Sequence, residues 1–104
     1  MKYITNAPAG RDLLNVKRPG WAHLADPDAL DMNSASKCVL GQVDGDYFRA
    51  CGELFGRYYV EDSFRYGFCV LTWNGVYWRG MAETEVARLT AEWRDIITIL
   101  RAES

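Results

Sequence analysis

The residues of this chain best suited to chemistry are one histidine, His23, and three cysteines, Cys38, Cys51 and Cys69. A structural zinc site draws on close pairs such as C-x₂-C. The closest two of these four, Cys38 and Cys51, stand 13 positions apart. Nucleophilic catalysis needs a base within reach of the nucleophile. Cys38–His23 and Cys51–His23 are the dyads on offer. Both cysteines fall on or beside a helix face expected to be buried, where a thiol is inert. His23 lies in a polar connector, where an imidazole is ordinarily solvated. Asp44-Gly45-Asp46 resembles part of a calcium loop, but the continuing Asp series and closing Glu are missing, and a turn or cap explains it. Adjacent acids such as Glu61-Asp62 and Asp26/Asp28 need no function. No P-loop, G-x-G-x-x-G or G-x-S-x-G motif occurs. The expectation is no catalytic residue, no metal ligand and no cofactor. The alternative is a small enzyme or metal protein using His23 with a cysteine.

Recognition chemistry is better represented. The tract Phe55–Tyr66, FGRYYVEDSFRY, interleaves Phe55, Tyr58, Tyr59, Phe64 and Tyr66 with Arg57 and Arg65. Tyr beside Arg is the composition of protein-interface anchors, and aromatics beside Arg also stack on bases. The competing reading is a loop that packs its aromatics inward. With Tyr77 and Arg79 from a later segment, the candidate binding residues are Arg57, Tyr58, Tyr59, Arg65, Tyr66, Tyr77 and Arg79.

These side chains need a frame. At 104 residues the chain is long enough for one domain and too short for two ordinary cores, so residues 1–104 read as a single small globular domain. Apolar residues make up 49% and charged residues 25%, which argues against disorder. A net charge of −2 without a basic stripe argues against nucleic acid. No apolar run reaches the ~18 residues of a membrane span, and MKYITNAPAGRD lacks the apolar centre of a signal peptide. Reduced, buried cysteines in the cytoplasm are therefore expected.

Ala9–Lys17 reads as a short helix stopped by Pro19-Gly20. A connector follows, with a one-turn helix start at Asp26-Pro27-Asp28 and with Leu24, Leu30 and Met32 pinning it to the core. From Ser36 to about Gly56, winding at about 100° per residue puts Val39, Leu40, Val43, Tyr47, Ala50, Cys51, Leu54 and Phe55 on one face. Gly41, Gly45, Gly52 and Gly56 then form a stripe beside that face, as if another backbone passed close by. Each costs a helix about 1 kcal/mol, and Asp44-Gly45-Asp46 is a strong turn tripeptide. The reading is one helix kinked there, with two helices joined by a tight turn as runner-up. FCVLTWNGVYWRG reads as a β-hairpin around Asn74-Gly75, with Trp73 facing Val76 and Leu71 facing Trp78. Val86, Leu89, Trp93, Ile96, Ile97 and Leu100 mark a long C-terminal helix that would cover the hairpin's apolar face. The expected class is α+β, mainly α. It comprises three or four helices, among them a central one over about 36–56 and a C-terminal one over about 83–102, with one β-hairpin over about 68–80.

Trp21, LDMN from Leu30, KCVLGQV from Lys37, GDY at Gly45–Tyr47, YGF at Tyr66–Phe68 and LTAEWRDII at Leu89–Ile97 occur in that order. In these motifs the chain resembles a group of small proteins encoded by phages and prophages of actinobacteria. Members often carry a second cysteine where this chain has Ala35 and an aromatic where it has Asp44, and the Asn74-Gly75 hairpin is particular to this chain. The group has no assigned activity, so the resemblance implies an accessory protein in the bacterial cytoplasm and transfers no catalytic residue. The expected function is non-enzymatic binding of a host macromolecule, a protein above all, through a Tyr/Trp/Arg-rich surface. A self-associating structural protein is a further alternative, with the glycine stripe or the hairpin face as a homodimer contact.

Overall fold

The structure is a computed structural model. It describes residues 6–56, 59–69, 71–73, 78–80 and 83–103. Its architecture is mainly helical, built on five α-helices: α1 (Ala7–Lys17), α2 (Val39–Asp44), α3 (Tyr47–Phe55), α4 (Tyr59–Arg65) and α5 (Glu83–Glu103). The α+β class with a β-hairpin layer is overturned. Extended structure among the described residues amounts to three residue pairs, between Leu71–Trp73 and Trp78–Gly80. Their register also departs from a two-residue Asn74-Gly75 loop, since Trp73 lies opposite Trp78 rather than Val76. Three pairs cannot make a layer that buries one face of a helix. The apolar stripe of α5 is met instead by α1 and by the 3₁₀ turn Trp21–His23.

α1 begins two residues earlier than its apolar pattern, because Asn6 caps it by accepting from the Ala9 N–H at 3.1 Å. Leu14 is fully buried, and Gly10 lets α1 approach α5 and the Tyr66 carbonyl closely. The connector after Trp21 forms no helix at Asp26-Pro27-Asp28. It makes a turn in which the Asp26 carboxylate accepts the Asp28 N–H at 2.9 Å. Leu30 and Met32 do pin it to the core, whereas Leu24 is exposed. Polar bonds complete the attachment. Arg94 donates to the Pro27 carbonyl, Arg101 to the Ala25 carbonyl and the Met32 N–H to the Thr90 hydroxyl.

The single helix over about 36–56 is also corrected. It is two helices, and the break falls at Asp44-Gly45-Asp46. Gly45 has φ +92° and its N–H donates to the Gly41 carbonyl, closing α2. Asp46 then caps α3 by accepting the Arg49 N–H at 3.0 Å. Cys38 caps α2, its sulfur accepting the Gly41 N–H at 3.3 Å. The break also resolves the position of Asp44, which a continuous helix would have placed within the apolar face. Its carboxylate accepts from the Arg18 guanidinium, with Nε 3.0 Å from Oδ1 and 3.3 Å from Oδ2, and Nη2 3.0 Å from Oδ2. Of the glycine stripe, only Gly41 is a close approach, and its neighbour is the chain's own Ala35–Ser36 backbone. Gly56, with φ +74°, ends α3, and Gly52 has open space before it.

Candidate functional site

Five aromatic rings run from the centre of the molecule to its surface. Trp21 meets Trp93 edge to face at 5.7 Å, Trp93 stacks on Phe68 at 5.4 Å, and Phe68 lies 6.0 Å from Phe55. Phe55 stacks on Tyr66 at 5.6 Å, with the planes 12° apart. The inner rings are fixed by hydrogen bonds as well as packing. Trp93 Nε1 donates to the Gly67 carbonyl at 2.6 Å, and Trp21 Nε1 to the Asn15 amide oxygen at 2.8 Å. Trp21, Phe68 and Trp93 are buried, whereas Phe55 and Tyr66 are half-buried and keep part of their surface towards solvent. The outer pair is thus an aromatic ledge anchored in the core.

Of the residues singled out from sequence, Tyr66 lies on this ledge, next in the chain to the exposed Arg65, whose guanidinium is 3.8 Å from Asp62. Tyr59 is in the first turn of α4 and Arg79 in the second extended stretch. Arg57, Tyr58 and Tyr77 lie outside the described residues.

His23 is exposed at the end of the 3₁₀ turn, while all three cysteines are buried thiols. Burial pushes the Cys38 thiol up to about 11 and raises Cys51 and Cys69 as well. Cys51 and Cys69 lie within hydrogen-bonding reach of the hydroxyls of Tyr47 and Ser63, which bond each other. Tyr47 is itself raised, chiefly by burial. A thiol held protonated in this way is a packing group and a poor nucleophile. Among the described residues no group of three or more His, Cys, Asp or Glu side chains is placed to hold a metal ion. No described helix is long and apolar enough to cross a membrane.

Two surface features were missed in the sequence. A shallow cleft of about 350 Å³ between α1 and α5 has Ile96, Ile99 and Leu100 on its apolar side and Arg11 and Glu103 among its charged residues. Phe48 on α3 is 60% exposed, its ring edge-on to Tyr47 at 5.2 Å. A readable signal existed for Phe48, since helical winding sets this aromatic towards the side of Arg49 and Glu53.

Compared with family models, curated proteins and solved structures, the chain matches none.

Proposed function

We propose that this is a small non-enzymatic accessory protein, of the kind phages and prophages encode, that binds a host protein in the bacterial cytoplasm. The observation that carries the reading is the Phe55–Tyr66 ledge beside Arg65. Partly exposed aromatics locked to a core present contact area with little conformational entropy left to lose on binding, and an adjacent Arg supplies directional donors. The sequence motifs shared with the phage and prophage group support the setting. The buried, protonated thiols and the exposed His23 disfavour the alternative of His23–cysteine chemistry.

Affinity capture from an actinobacterial lysate tests the proposal, comparing wild type with Arg65→Glu and Tyr66→Ala. A protein retained by the wild type and lost from both folded variants is the expected result. Equal recovery by wild type and variants would sink the assignment of the ledge.

A further inference from the structure

The cleft between α1 and α5 is apolar along its α5 wall and unequal in the charge around it. Ile96 and Leu100 are half-buried there, and Ile99 is 57% exposed. Both cations of the C-terminal half of α5 reach the other way. Arg94 donates to the Pro27 carbonyl at 2.9 Å and Arg101 to the Ala25 carbonyl at 2.7 Å. Wound at about 100° per residue, these two lie opposite Glu92, Asp95, Ile99 and Glu103. The three acids are exposed, and no described cation lies within ion-pair distance of any of them. On the α1 wall, Arg11 is already matched by Asp12 at 3.0 Å. Arg88 stands one turn before Glu92 and bounds the acidic side. Three turns of helix, about 16 Å, therefore present anions beside exposed aliphatic surface.

We infer that this cleft receives a cationic amphipathic helix of a protein partner, with aliphatic side chains on Ile96, Ile99 and Leu100 and Lys or Arg over Glu92, Asp95 and Glu103. The sign of the charge selects the occupant. Nucleic acid and an anionic membrane surface would be repelled. A second copy would set the same acids against their like. A volume of about 350 Å³ is at the low end of the ~300–1,000 Å³ of small-molecule sites, and this cleft is shallow. It suits a ridge of side chains laid along it better than an enclosed ligand. An amphipathic helix presents such a ridge at i, i+3 or i+4 and i+7, with its charges alongside. Glu92, Asp95, Ile96 and Ile99 follow the same spacing, so each helix meets its complement without bending. Burial of aliphatic surface supplies the attraction, while the rim charges steer the partner and fix its direction. The cleft is separate from the Phe55–Tyr66 ledge, and the inference stands whether or not a protein binds at the ledge.

NMR titration of the full chain with a synthetic Leu/Lys amphipathic peptide tests the inference. A peptide of about 14 residues spans the three turns as a helix. Amide shifts should move in Arg11–Asn15 and Ile96–Glu103, and binding should weaken as salt rises. Ile99→Ser should weaken it by about tenfold, as should Glu92→Lys combined with Glu103→Lys. All three positions are exposed, and circular dichroism checks that each variant keeps its helices. A Leu/Glu peptide of the same pattern should not bind, and a lysine peptide without leucines should bind at least about tenfold more weakly. Shifts absent from the cleft, or centred on the Phe55–Tyr66 ledge, overturn the inference. So does binding unchanged by Ile99→Ser, or a lysine-only peptide that binds as tightly as the Leu/Lys one, which would reduce the contact to attraction by charge alone.

Discussion

Gly10 and Gly52 both sit inside helices, and the same substitution should move stability in opposite directions at the two. A Cβ at Gly10 would fall 2.1 Å from the Tyr66 carbonyl oxygen and 2.9 Å from Cη2 and Cζ2 of Trp93. The ring cannot easily yield, because its Nε1 is bonded to the Gly67 carbonyl. Nor can the backbone, because Gly67 at φ +77° packs directly on Ala7. Alanine contributes about 1 kcal/mol of helix propensity over glycine. Overpacking a rigid site costs 1–3 kcal/mol and occasionally more, and an overlap with backbone belongs at the top of that range. Gly10→Ala should therefore destabilise by about 2 kcal/mol or more, lowering Tm by roughly 8–16 °C in a domain of this size. Gly52→Ala meets nothing within 4 Å. It should show the propensity gain alone, about 0.5–1 kcal/mol, raising Tm by a few degrees. Urea and thermal unfolding followed by circular dichroism gives both values. Shifts of the same sign, or a Gly10→Ala variant as stable as the wild type, would refute the packing of α1 on α5 and Gly67.

Arg18→Ala strands the Asp44 carboxylate, whose side chain is only 8% exposed. It should cost about 2–3 kcal/mol in urea unfolding, part of which Asp44→Asn recovers in the same chain. Trp93→Phe removes the donor to the Gly67 carbonyl and leaves it buried without that bond; a loss of about 1–3 kcal/mol is expected by the same assay. Alkaline pH should destabilise the reduced protein. The native Cys38 thiol holds its proton up to about 11, against an ordinary value of 9.0. Below pH 9 both states are protonated and this contribution is constant. Between the two values only the unfolded chain releases the proton, so stability falls, by on the order of 2–3 kcal/mol for this group. Cys38→Ser keeps a capping atom without the titration, and unfolding free energies measured across that range should show a shallower decline.

The elements that the sequence announced most clearly are those whose own residues decide the outcome. The Val86–Leu100 spacing marked α5 because a stripe repeated over several turns has one helical solution. The stretch 36–56 was ambiguous because two local codes overlap there. Its apolar residues keep helical phase across the break, while Asp44-Gly45-Asp46 supplies a positive-φ terminator followed at once by a new cap. The terminator won, and Asp44 beside it has a distant partner. Arg18 lies 26 positions away, and local periodicity carries no trace of that pairing. Asn74-Gly75 shows the reverse failure. The dipeptide favours a tight hairpin, but the pairing found is Trp73 opposite Trp78, and helices supply the cover that α5 needs.

The same break explains why the candidate surfaces were harder to read than the fold. In one continuous helix the face around Gly52 would be fixed by its phase relative to Val39 and Leu40. Once Gly45 ends α2, α3 is oriented by its own contacts instead: Ala50 and Cys51 buried, Tyr47 bonded to Ser63, and the Tyr47 N–H donating to the Ala35 carbonyl at 2.9 Å. That leaves Phe48 and Gly52 outward. Glycines that looked like seats for a passing backbone thus divide by cause. Gly41 accommodates the chain's own Ala35, Gly45 and Gly56 turn the chain, and Gly52 alone is left helical, exposed and uncovered. A glycine in that situation costs helix stability with no compensating contact inside the molecule.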